Sequence, residues 1–110
     1  MSEDIIQFQC YVWFHNTFPE KRGLFFSVPN GGSRNKKEAN KLKATGVVAG
    51  IPDLIYMYKN GYGIEIKTEE GTLSEKQKEI HEIWKENGKT VYVCRSLEEF
   101  QVVITEIHSY

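Results

Sequence analysis

With 110 residues, 40% of them hydrophobic, 13% aromatic and 26% charged, the chain can bury a core as one domain spanning 1–110, which excludes a disordered or fibrous protein. A formal net charge of −1 excludes coating nucleic acid by bulk electrostatics and leaves only local patches for phosphate. Cys10 and Cys94 lie far apart without a C-x-x-C partner, and no apolar run reaches signal or membrane length, so neither a disulfide framework, a zinc knuckle nor an anchor is indicated and a cytoplasmic setting is expected.

Ile6, Cys10, Trp13 and Phe14 recur at helical spacing and predict a helix over 3–17, with Ser2 as N-cap. After the break at Pro19 to Gly23, the short apolar run 24–28 reads as a strand ended by Pro29-Asn30-Gly31-Gly32. Asn35 with Glu38 forms a capping box for a short basic helix over 36–45, closed by Gly46. Residues 53–58 and 62–68 read as two strands flanking Lys59-Asn60-Gly61, a hairpin signal. Ser74 with Gln77 caps a helix to Asn87-Gly88, 90–94 is a buried strand, and Ser96 with Glu99 caps a last helix to about His108. The order α-β-α-β-β-α-β-α describes an α/β domain with helices on a small mixed sheet.

Glu65 and Lys67 are two residues apart on a predicted strand, so they share a face while Ile64 and Ile66 point to the other. Phosphodiester hydrolysis at neutral pH calls for a divalent ion, and hard carboxylate oxygens suit Mg²⁺. Asp53, behind Gly50-Ile51-Pro52 at the strand entrance, supplies a second carboxylate.

Hairpin register decides whether it does. A two-residue Asn60-Gly61 turn would set Asp53 opposite Thr68 and on the wrong face. A three-residue Lys59-Asn60-Gly61 loop with Gly61 left-handed would pair Tyr58 with Tyr62 and set Asp53 opposite Lys67. The bulged form, or another odd slip, is therefore expected.

Gly50-Ile51-Pro52-Asp53 followed by Glu65-Ile66-Lys67 resembles the PD-(D/E)xK nuclease superfamily. Glu3 with Gln7, Pro29-Asn30-Gly31-Gly32 with Arg34, and Gly71-Thr72-Leu73-Ser74 with Gln77 make the resemblance specific to its VRR-NUC branch, as a stand-alone, phage-like member. The resemblance implies a restriction-endonuclease-like core, dependence on Mg²⁺ with Mn²⁺ as substitute, and a homodimeric endonuclease for branched DNA such as Holliday junctions, in a bacterial or phage-infected cell. It implies that Asp53, Glu65 and the Ile66 carbonyl hold the metal, with Glu3 reaching the site from the first helix, directly or through water. Lys67 would orient or deprotonate the attacking water, or neutralise phosphate, and Gln77 would join the catalytic set.

Glu3 also suits a helix first turn electrostatically, and Gln77 is accounted for as the capping partner of Ser74. Asn30, Gly31 and Arg34 suit a loop that approaches phosphate, with Lys36, Lys37 and Lys41 as further phosphate contacts. His15, His81 and His108 show no ligand spacing and read as surface or packing residues. Tyr56, Tyr58, Tyr62 and Tyr92 read as sheet packing. A non-catalytic nucleic-acid-binding module of the same fold, or a nuclease for RNA or linear DNA, are the alternatives.

Overall fold

The computed structural model describes residues 1–29 and 36–110. Its elements follow the expected order: α1 (Glu3–Thr17), β1 (Phe25–Ser27), α2 (Lys36–Ala44), β2 (Leu54–Tyr56), β3 (Tyr62–Ile66), α3 (Glu75–Glu86), β4 (Thr90–Cys94) and α4 (Leu97–His108), with a 3₁₀ turn at Pro19–Lys21. The Ser2 hydroxyl opens α1 by accepting the Ile5 N–H at 3.2 Å. Ser74 and Gln77 form the reciprocal capping box expected of them, and the Ser96 hydroxyl accepts the Glu99 N–H at 3.1 Å to start α4. The Asn35 cap of α2 lies outside the described residues.

The sheet runs β1-β2-β3-β4, antiparallel between β1 and β2 and between β2 and β3, parallel between β3 and β4. Parallel neighbours need a crossover, and α3 is the connecting helix. One sheet face carries Leu54, Tyr56, Tyr62, Ile64, Ile66 and Cys94 into a core shared with Ile6, Cys10 and Phe14 of α1 and Phe100, Ile104 and Ile107 of α4. Aromatic rings fill its centre: Phe14 lies 4.4 Å from Phe25 and 5.1 Å from Tyr56, ring to ring. On the other face Trp84 of α3 lies over Gly63, where an added Cβ would come within 3.0 Å of the indole. β3 is thus covered on both sides, and all five of its residues are buried.

The observed hairpin differs from the expected three-residue loop. The pairs Leu54↔Ile64, Ile55↔Gly63 and Tyr56↔Tyr62 leave Met57 to Gly61 as a five-residue loop. Two features pull Tyr58 out of the ladder. Its ring stacks on Tyr56 at 5.3 Å and meets His108 at 5.2 Å. A turn also closes behind it, where the Gly61 N–H donates to the Tyr58 carbonyl at 2.9 Å, with Lys59 at φ 50° and Gly61 at φ 84°. Gly61 is left-handed as anticipated, and the slip from the two-residue turn is still odd. One step beyond Leu54↔Ile64, Asp53 stands opposite Glu65 rather than Lys67. The strands are also shorter than the predicted 24–28, 53–58 and 62–68, because pairing ends where the turns and the site begin.

Gly50 seats the approach to Asp53 against α3. Its φ is +87°, and a Cβ there would stand 2.5 Å from the Lys76 carbonyl oxygen, in the first turn of that helix. Gly50→Ala therefore combines a left-handed strain with a backbone clash, and is expected to destabilise the fold by about 2–4 kcal/mol. Chemical denaturation of the variant measures this; a loss under about 0.5 kcal/mol would show that the 50–53 segment is not held by close packing on α3.

Candidate active site

β3 delivers Glu65 and Lys67 to its carboxyl end. Lys67 continues the ladder by donating its N–H to the Cys94 carbonyl at 3.1 Å. Both side chains leave the sheet on the α3 side, where Glu65 is completely buried and Lys67 is 8% exposed. Asp53 enters from the opposing strand. Its Oδ2 accepts the Ile66 N–H at 2.7 Å, so the carboxylate is locked to the backbone of the strand that carries Glu65. The fold therefore brings Asp53, Glu65 and Lys67 together, as the odd register requires.

Two residues of α3 grip the Glu65 carboxyl group. Gln77 Nε2 donates to Oε2 at 3.2 Å, while Gln77 Oε1 accepts the Ser74 N–H at 2.9 Å. One amide serves as both cap and clamp, completing the Ser74 capping box while holding Glu65. His81 Nε2 lies 2.9 Å from Glu65 Oε1. Reading His81 as incidental is thus corrected. The available signal was its spacing, since His81 follows Gln77 by four residues and shares its helix face. His108 is a packing residue, as one of the two readings had it: its Nε2 lies 2.8 Å from the Tyr56 hydroxyl.

Burial, the hydrogen bond to Asp53 and the charge of Asp53 push the Glu65 carboxyl up to about 9; Lys67 pulls it down and Glu3 adds a small upward push. Glu65 therefore keeps its proton at neutral pH unless a cation replaces it. His81 is held below its ordinary value by burial and by Lys67, against the pull of Asp53, and is neutral near pH 7.

The other predicted residues fall at varying distances. Glu3 is exposed at the start of α1 and acts on Glu65 through its charge. Among the described residues, no group of three His, Cys, Asp or Glu side chains forms a ready-made metal cage. Lys36, Lys37 and Lys41 are exposed on α2, which buries none of its residues. Asn30, Gly31 and Arg34 lie outside the described residues.

Arg95, at the end of β4, escaped sequence reasoning. Its Nη1 donates to the carbonyls of Thr68, Glu69 and Gly71 at 2.7, 3.1 and 2.6 Å, tying down the loop between Lys67 and the Ser74 cap. No side-chain pattern signals it, because every partner is backbone.

A mixed sheet between helices, with Glu65 and Lys67 at the carboxyl end of a central strand and Asp53 facing them from the neighbouring chain segment, defines a restriction-endonuclease-like fold. The chain belongs to the VRR-NUC family: the model of the VRR-NUC domain matches residues 8–98. A solved structure described as a VRR_NUC domain protein is similar to this chain at 29% identity and a TM-score of 0.80, over 96% of this chain and 87% of that one. No curated protein matches the sequence. The matched span contains Asp53, Glu65, Lys67, Gln77, His81 and Arg95, whereas Glu3 precedes it. Among the described residues, no helix is long and apolar enough to cross a membrane.

Proposed function

We propose that this chain is a Mg²⁺-dependent endodeoxyribonuclease that acts as a homodimer on branched DNA such as Holliday junctions. The observation that carries the catalytic part is the juxtaposition of Asp53 with Glu65 on one sheet face, beside Lys67, in a chain of the VRR-NUC family.

The donor set fits a hard divalent cation. Burial first, and then the hydrogen bond to Asp53 and its charge, keep Glu65 protonated, and a bound cation would offset the cost of ionising it. Asp53 and Glu65 would hold Mg²⁺ or Mn²⁺, joined by the Ile66 carbonyl and by Glu3 directly or through water. A small set of oxygen ligands suits Mg²⁺, which retains much of its hydration. When bound, the ion would offset the negative charge that develops on the phosphoryl and leaving oxygens and favour deprotonation of water. Lys67 would act beside the pair, as an ammonium that orients the attacking water or neutralises phosphate, or as a neutral amine that takes the proton of that water. The water oxygen bonds to phosphorus as its proton passes to the amine or to solvent, and the bond to the leaving sugar oxygen breaks, that oxygen taking a proton from solvent.

The exposed lysines of α2 supply local positive charge to a chain with a net charge of −1. Two-fold pairing would present two such sites to the two strands of a symmetric junction. A panel of four-way junction, flap, linear duplex, single-stranded DNA and RNA, each with Mg²⁺, tests the substrate class. Junction cleavage is expected to exceed linear duplex cleavage at least tenfold. Equal rates on both would remove branch specificity, and preferential RNA cleavage would move the substrate class.

A further inference from the structure

We propose that His81 is a positioning residue that holds Glu65 in its metal-binding orientation by donating Nε2–H to Oε1; this rests on the metal site proposed above. Gln77 and His81 lie one helical turn apart on α3 and divide the two oxygens of Glu65 between them, at 3.2 Å and 2.9 Å. Glu65 is fully buried, and the His81 side chain is only 16% exposed, so water does not readily replace either donor. A carboxylate gripped at both oxygens keeps one rotamer while its remaining lone pairs stay open towards Asp53 and a cation.

Partners of this kind fix a ligand's direction, and their loss typically weakens metal affinity by about 10- to 100-fold. The geometry also specifies which replacement works. Glutamine carries an N–H donor at a depth comparable to Nε2, whereas alanine and leucine carry none.

The test is Mn²⁺ binding without DNA, followed by the paramagnetic signal of the free ion. His81→Ala and His81→Leu are expected to raise the dissociation constant by about 10- to 100-fold, and His81→Gln to bring it back to within about threefold of wild type. His108→Ala is the control for lost packing: it removes a comparable imidazole and its bond to Tyr56, and should lower the melting temperature without moving Mn²⁺ affinity. Leucine conserves bulk should the alanine variant not fold. Affinity within twofold of wild type in either donor-less variant, or failure of glutamine to restore it, overturns the proposal. If wild type binds no Mn²⁺ that Asp53→Asn removes, the metal site itself fails, a result distinct from tight binding by the His81 variants.

Discussion

Replacing Lys67 with alanine should lower single-turnover cleavage by about 10²- to 10⁴-fold while leaving the protein folded. The fold should survive because Lys67 sits just past the end of β3 and its ladder bond to Cys94 uses backbone atoms alone. Activity should not survive, because Lys67 is the cation that acts on both Glu65 and His81. On the proposed mechanism, its loss would remove a charge beside the reacting phosphate and make Glu65 harder to ionise. Lys67→Met, which keeps the stem and removes the charge, should be nearly as inactive as alanine, which separates the role of charge from that of packing. Circular dichroism confirms folding and quenched-flow cleavage gives the rate. A rate within a few-fold of wild type would remove Lys67 from the chemistry.

The second large effect concerns stability against pH. The folded protein holds the Glu65 carboxyl at about 9, against an ordinary value of 4.5, so the native state keeps a proton that the unfolded chain releases. The contribution of this group is fully present below the unfolded value and is lost as pH rises towards 9. Across that window metal-free protein should lose stability with rising pH, by up to about 1.4 kcal/mol per unit from this one group. Glu65→Gln should flatten the dependence and stabilise the metal-free protein at pH 8, because a neutral amide replaces a buried acid that must ionise or hold a proton there. Saturating Mg²⁺ should do the same for wild type by binding only the folded site. Urea denaturation from pH 5.5 to 8.5, with and without Mg²⁺, measures both effects. A metal-free stability that rises with pH throughout this range would contradict the buried, proton-holding carboxyl.

Much of this site was legible because a strand has period two. Glu65 and Lys67 had to share a face, and Asp53 could join them only through an odd slip in the hairpin. The slip occurred, although its size was not legible: stacking of Tyr58 on Tyr56 and His108 is a tertiary matter that local turn signals do not contain. Capping boxes marked the starts of α3 and α4 because their hydrogen bonds are local. His81 and Arg95 were missed for opposite reasons. His81 acts through a carboxylate sixteen residues away across the crossover, and its four-residue offset from Gln77 gains meaning only once Gln77 is seen on Glu65. Arg95 holds three carbonyls, and carbonyls carry no sequence identity.

That Asp53 and Glu65 form a metal site for phosphodiester hydrolysis is tested most directly by incubating wild type and Asp53→Asn with a four-way DNA junction in Mg²⁺ and in chelator. Cleavage by wild type in Mg²⁺ alone, with Asp53→Asn reduced by about 10³-fold or more yet still folded and DNA-binding, is the predicted result. Undiminished cleavage by Asp53→Asn, or no cleavage by wild type in either Mg²⁺ or Mn²⁺ while binding persists, would contradict it.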